Sequence, residues 1–166
     1  CWTYFNKQGT TNWRISTDEN NSPLGNKSVF HDSGVNEESW LISSTIDLPA
    51  GTDIVLQFMS LVEDFGTYGM GSNSNSVYVI TQTDSVWVWT SDISFDFWVE
   101  TPEIDLSQYS GETIQLAFVY RGEENSHTWY VDDINLNIYA CPPPQNLFIA
   151  LTTETSVNLI WEAGSD

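Results

Sequence analysis

Two adjacent carboxylates, Asp132 and Asp133, follow Trp129-Tyr130-Val131 in a segment of strand character. Neighbouring residues on a strand point to opposite faces. One of the two must therefore turn inward or meet a loop, and an unpaired buried carboxylate is expensive. Salt bridges offer little relief, because the 166 residues hold 23 Asp and Glu against four Lys and Arg, a formal net charge of −19. A calcium ion, with roughly six to eight oxygen ligands, would neutralise several acids at once. The competing reading is a hydrogen-bonded strand aspartate among solvated loop acids. No EF-hand loop pattern occurs.

The densest aromatic stretch is Trp87-Val88-Trp89, with Phe95, Phe97 and Trp98 shortly after. An exposed ring face stacks on flat groups such as a pyranose, so exposed aromatics would mark a sugar-binding surface. In a regular strand Trp87 and Trp89 share one face while Val86 and Val88 share the other. Both faces are then apolar, which favours a strand buried in a sandwich. Tyr68, in the loop between Glu63 and Ser76, is the better candidate for an exposed contact. The two histidines, His31 and His127, have no Ser or Cys elbow beside them, and neither HExxH nor GxSxG is present. With 23 acids some pair always falls at a glycosidase spacing, so that spacing carries no information.

The charge excludes whole classes of partner. Lys7, Arg14, Lys27 and Arg121 cannot form the basic patch that nucleic acid requires, and anionic membranes are disfavoured for the same reason. Disorder is excluded by 40% hydrophobic and 14% aromatic residues. No apolar run approaches the ~18–20 residues that span a bilayer. The chain opens at Cys1 directly into strand-like sequence and reads as a mature or excised segment.

The elements that position these residues have a period of two. Ile54–Met59, Val77–Ile80, Val86–Trp89, Ile114–Tyr120 and Trp129–Val131 are short runs rich in β-branched and aromatic residues. Turn chemistry separates them, as in Pro49-Ala50-Gly51 and Gly69-Met70-Gly71-Ser72-Asn73. About ten strands precede Cys141, with no convincing helix. The predicted class is all-β, two sheets packed face to face as a jelly-roll sandwich. Residues 1–141 form that domain and 142–144, three prolines, a stiff linker. Residues 145–166 read as two strands of a second β-sandwich, too short to bury a core alone. Cys1 and Cys141 lie 140 positions apart without CxxC spacing. They are either ordinary free thiols or a disulfide joining the ends of one domain, which would imply an oxidising compartment.

Three segments, in this order and spacing, carry a resemblance. They are Glu38-Ser39-Trp40-Leu41-Ile42-Ser43 with Thr45-Ile46-Asp47-Leu48; Ile104-Asp105-Leu106-Ser107-Gln108-Tyr109-Ser110-Gly111 with Ile114–Tyr120; and Trp129-Tyr130-Val131-Asp132-Asp133-Ile134. Over about residues 1–140 the chain resembles the cleaved-adhesin, or choice-of-anchor J, family of MAM-like jelly rolls in secreted Bacteroidota proteins, such as the gingipain haemagglutinin/adhesin modules. Pro144-Gln145-Asn146-Leu147 with Ser156–Ala163 looks like the start of a fibronectin type III domain.

The resemblance implies a non-catalytic adhesive module of a secreted cell-surface protein, bound to extracellular protein or glycan and neighboured by other domains. The alternatives are a purely structural spacer and a carbohydrate-targeting module of a polysaccharide-degrading enzyme. It also implies a Cys1–Cys141 disulfide and calcium near the Val-Asp-Asp-Ile strand. Asp18, Asp32 and Asp133 are the ligands expected to join backbone carbonyls there, with Glu19 and Asn20 adjacent to Asp18. Asn6–Trp13 lacks the Asp-rich stretch that family members often carry. Asp84-Ser85-Val86 is similar to the Asp-Ser/Thr-hydrophobic pattern of Bacteroidota O-glycosylation, making Ser85 a candidate acceptor at a turn.

Overall fold

A computed structural model describes residues 1–20, 25–32, 34–64, 74–91, 95–123, 127–140, 145–152 and 157–162. Among them, twelve strands precede residue 141, two more than the sequence periodicity resolves. They are β1 (Thr3–Gln8), β2 (Trp13–Ser16), β3 (Ser28–His31), β4 (Glu37–Ile42), β5 (Ile46–Asp47) and β6 (Thr52–Asp64), then β7 (Ser74–Ile80), β8 (Ser85–Ser91), β9 (Phe95–Glu100), β10 (Ile104–Asp105), β11 (Thr113–Gly122) and β12 (His127–Ala140). One 3-10 turn spans Ser107–Tyr109. β13 (Gln145–Thr152) and β14 (Val157–Glu162) pair with each other as an antiparallel hairpin.

The twelve strands form two antiparallel sheets. The first runs β1-β4-β11-β7-β8, with β5 continuing along β11 beyond the end of β4. The second runs β6-β12-β3-β2, and both β9 and β10 lie along the other edge of β6. Strands adjacent in a sheet are mostly distant in sequence, so the chain crosses repeatedly between layers, as in a jelly roll.

The two-residue period decides which side chains fill the space between the layers. Along β4, Glu37, Ser39 and Leu41 are buried, while Glu38, Trp40 and Ile42 lie half-buried on the outer face. Along β11, Ile114, Leu116, Phe118 and Tyr120 point into the core. Phe58, Trp89, Phe118 and Trp129 meet there with ring centroids 5.0–6.4 Å apart. Such ring pairs add about 0.5–1.5 kcal/mol each beyond the area they bury. No helix among the described residues is long and apolar enough to cross a membrane.

Candidate functional site

Central strand β11 breaks the expected alternation of buried and exposed residues. Ala117 and Val119 face away from the core, yet both are fully buried. Their cross-strand partners explain this. Val119 lies opposite Trp40 of β4 and Ala117 opposite Tyr78 of β7, and the Trp40 and Tyr78 rings approach to 5.1 Å, closing over the small residues between them. On the edge strand, Phe5 lies opposite Trp40 and stacks on it at 5.8 Å. On the other side Trp87 of β8 lies opposite Tyr78. Phe5, Trp40, Tyr78 and Trp87 therefore form an aromatic row across the outer face of the first sheet. Phe5 is 47% and Trp87 56% exposed.

The row depends on a bulge that corrects the expectation that Trp87 and Trp89 share a face. Between Val77 and Tyr78 the ladder jumps from Trp89 to Trp87, leaving Val88 as an extra residue. An extra residue reverses the inward-outward parity of everything beyond it. Trp89 thus points inward, against Phe58 at 5.0 Å and Trp129 at 6.4 Å, and Val88 packs on the core beside it. Trp87 points outward. Its indole N–H donates to the Trp89 carbonyl at 2.8 Å, which holds the exposed ring in one orientation.

A polar hub borders the row. The Glu38 carboxylate accepts from Trp40 Nε1 at 2.9 Å, Lys7 Nζ at 3.2 Å and Arg121 at 3.4 Å. Burial pushes the Glu38 pKa up, but these three hydrogen bonds together outweigh it and hold the carboxyl below its ordinary value. Arg121 also donates to the Tyr78 hydroxyl at 3.2 Å, with its guanidinium 5.7 Å from the ring centroid. Aromatic rings next to fixed donors and acceptors can bind a molecule with apolar faces and hydroxyl edges.

Two other openings lie where the edges β1 and β2 leave the sandwich uncovered. One, about 430 Å³, is lined by Trp2, Tyr4, Trp13, Ile15, Val29 and Leu41, with Cys1 and Arg14. The other, about 330 Å³, adjoins Trp2, Lys27, Ser28, Asp132 and Asp133. The outer face of the second sheet also carries rings, but they engage one another. Phe30 stacks on Tyr130 at 5.2 Å, Trp98 meets Tyr130 at 6.3 Å, and Arg14 caps Phe30. Burial, then the charges of Glu63, Glu19 and Asp32, push the Tyr130 phenol up to about 12.

The proposed calcium ligands do not converge. Asp32 pairs with Arg14, Asp18 is exposed in the turn after β2 with its amide on Ser16 Oγ, and Asp133 is exposed on β12. No three His, Cys, Asp or Glu among the described residues form a metal-holding group. Asp132 and Asp133 do not alternate simply, because the β12 ladder slips between Asp132 and Asn135 and Asp133 adopts φ +47°, a left-handed conformation that Asp tolerates better than most residues.

Tyr68 and Cys141 lie outside the described residues; Cys1 is exposed. Ser85 opens β8 in an exposed position after the Thr81–Asp84 turn, where its amide donates to Asp84. His31 is buried, its ring nitrogens 2.7 Å from the Asp32 carbonyl and 3.0 Å from the Thr11 carbonyl. His127 is buried on Asn75. Phe5, Trp40 and Tyr78 escaped the sequence reading as contact residues. The alternation Glu38-Trp40-Ile42 opposite Glu37-Ser39-Leu41 is the signal that could have marked Trp40 as outward.

No protein-family model and no curated protein matches this sequence. Solved structures match the fold at low identity. The K2 cleaved adhesin domain of Lys-gingipain matches at TM-score 0.57 and 19% identity, over 84% of this chain and 89% of that one. TmCBM61 in complex with β-1,4-galactotriose matches at TM-score 0.57 and 16% identity, over 82% and 87%. The CBM22-1 xylan-binding domain from Paenibacillus barcinonensis matches at TM-score 0.54 and 9% identity, over 85% and 87%. The jelly-roll sandwich expected from the sequence is the observed fold, and gingipain adhesin domains are among the chains that share it.

Proposed function

We propose that this chain is a non-catalytic, extracellular carbohydrate-binding module that grips glycan on the outer face of its first sheet. The observation that carries the reading is Trp87: exposed, aimed outward by a bulge, and locked by its own indole N–H beside Tyr78. A side chain this large exposes its face at a cost in unburied apolar area unless something covers it. Neighbouring Tyr78, Trp40 and Phe5 extend the platform, and Glu38 and Arg121 supply fixed hydrogen-bonding groups at its border. Likeness in fold to carbohydrate-binding and cleaved adhesin domains supports the same reading. Both histidines are engaged in the interior, His31 on the Thr11 carbonyl and His127 on Asn75.

Affinity electrophoresis and calorimetry against soluble xylan, galactan, mixed-linkage glucan and a polyuronate test this. Binding to at least one polysaccharide is expected, weakened about 30-fold by Trp87→Ala, the ~2 kcal/mol of a central aromatic contact. Absence of binding to the whole set, or binding indifferent to Trp87→Ala, would refute it.

A further inference from the structure

The sheets differ in charge far more than in size. In the five long strands of the first sheet the only acids are Glu37 and Glu38, although the chain has 23. Glu37 points inward and is buried, accepting from the Thr10 and Thr11 amides. Short β5 adds Asp47 at the far corner, bonded to Thr113 Oγ1 at 2.6 Å. The second sheet instead carries Asp53, Glu63, Glu100, Asp105, Asp132 and Asp133 among its strand residues. Two of the four basic residues, Lys7 and Arg121, meet at the aromatic row. Among the described residues they share one carboxylate, Glu38, so two cations there face one acid. The Lys7 side chain is 63% and the Arg121 side chain 28% exposed, against 15% for Glu38. The cations thus face solvent more than the acid between them.

A surface that only needed solubility would carry acids here as elsewhere on a chain of net charge −19. A neutral sugar would need the rings and hydroxyl partners but no surplus cation. Resting on the glycan-binding reading above, we propose that the ligand is an anionic glycan, one bearing a uronate carboxylate or a sulfate ester that seats at Arg121 and Lys7 while the sugar ring stacks on Tyr78 and Trp87. The planar guanidinium suits either oxyanion. Acid depletion across the face removes the local repulsion that the rest of the molecule would impose, and at ~0.15 M salt the distant acids are screened beyond ~8 Å.

Three ligands distinguish the possibilities: a uronate-bearing polysaccharide, the same polymer after its carboxyls are reduced to alcohols, and a sulfated glycan of matched backbone. The uronate polymer is expected to bind about tenfold tighter than its reduced form. Tighter binding of the sulfated glycan alone would assign the anion as sulfate. Lys7→Gln, at an exposed side chain, and Arg121→Gln are expected to bring the acidic-to-reduced ratio toward one, with melting temperature confirming that each variant folds. Equal affinity for acidic and reduced polymers, both still lost in Trp87→Ala, would overturn the anion proposal while leaving the platform standing. Failure of all three ligands to bind would count against both.

Discussion

Trp87 and Trp89 are two positions apart, and in a regular strand their substitution by alanine should have similar effects. The bulge at Val88 predicts a sharp contrast. Trp89 is in edge-to-face contact with Phe58 and packs on Trp129, so Trp89→Ala opens a cavity in the core. Trp-to-Ala changes in cores cost about 3–5 kcal/mol, and the half-buried state of Trp89 places it near ~3 kcal/mol. With a urea slope of about 2 kcal/mol per M for a domain of this size, the unfolding midpoint should fall by ~1.5 M. Trp87 is 56% exposed and loses one hydrogen bond, to the Trp89 carbonyl. Its removal should cost about 1 kcal/mol, or ~0.5 M in the midpoint. Binding should divide the other way, with Trp87→Ala weakening it about 30-fold and folded Trp89→Ala retaining most of it. Urea titration by far-ultraviolet circular dichroism and calorimetry on the same samples read both effects. Equal destabilisation by the two substitutions, or loss of binding in folded Trp89→Ala but not in Trp87→Ala, would refute the bulge and the platform together.

Gly9, at φ +84°, would place a Cβ 1.9 Å from Glu37 Oε2, so Gly9→Ala should destabilise by roughly 2 kcal/mol or more. Glu37→Ala should cost about 2–3 kcal/mol by orphaning the Thr10 and Thr11 amides; because it also removes the clash, the double variant should lose less than the sum, and strict additivity would contradict the contact. Burial lowers the His31 pKa despite the Thr11 and Asp32 carbonyls and the Glu37 and Asp32 charges that raise it. Its unfolded form therefore binds protons first, and stability that is full above the ordinary value of 6.5 should decline as pH falls below it, by at most about 1.4 kcal/mol per pH unit; a flat urea midpoint between pH 7 and pH 5.5 would remove His31 as the cause. Millimolar calcium should raise the melting temperature if Asp18, Asp32 and Asp133 hold an ion with backbone carbonyls, and an unchanged melting point would eliminate that set. If Cys1 and Cys141 are joined, the unreduced, unfolded chain should show no free thiol and reduction should cost up to ~4–5 kcal/mol; two titratable thiols would disprove the bridge.

The layered all-β architecture was legible because it rests on parity. Val77 and Val79, and Ile54, Leu56 and Phe58, alternate as a half-buried strand must, and Pro49-Ala50-Gly51 turns where its residue types say it should. The site was less legible because parity fails where an extra residue enters. Val88 has the same type as any strand valine, and nothing in Val86–Trp89 shows that the partner strand skips one position there. Asp133 poses the same problem on β12, where the left-handed backbone and the slip in register separate two acids that simple alternation would put on opposite faces. Bulges arise from pairing, and pairing joins segments as distant as β4 and β11.

Charge repeats this lesson at the scale of a whole layer. A net charge of −19 read along the chain implies acids everywhere, excludes nucleic acid and disfavours anionic membranes. Once the strands are paired, the jelly-roll crossings gather the acid-free segments Thr3–Gln8, Ser74–Ile80, Ser85–Ser91 and Thr113–Gly122 into one sheet. Glu38 is the one outward acid of its long strands, and it is answered by Lys7 and Arg121. Coulomb interactions at a screened surface act over about a Debye length, ~8 Å, so a ligand on this face responds to that local set far more than to the total. The same average charge that excludes nucleic acid, with its closely spaced phosphates and need for many cations, is compatible with a glycan carrying isolated acidic groups.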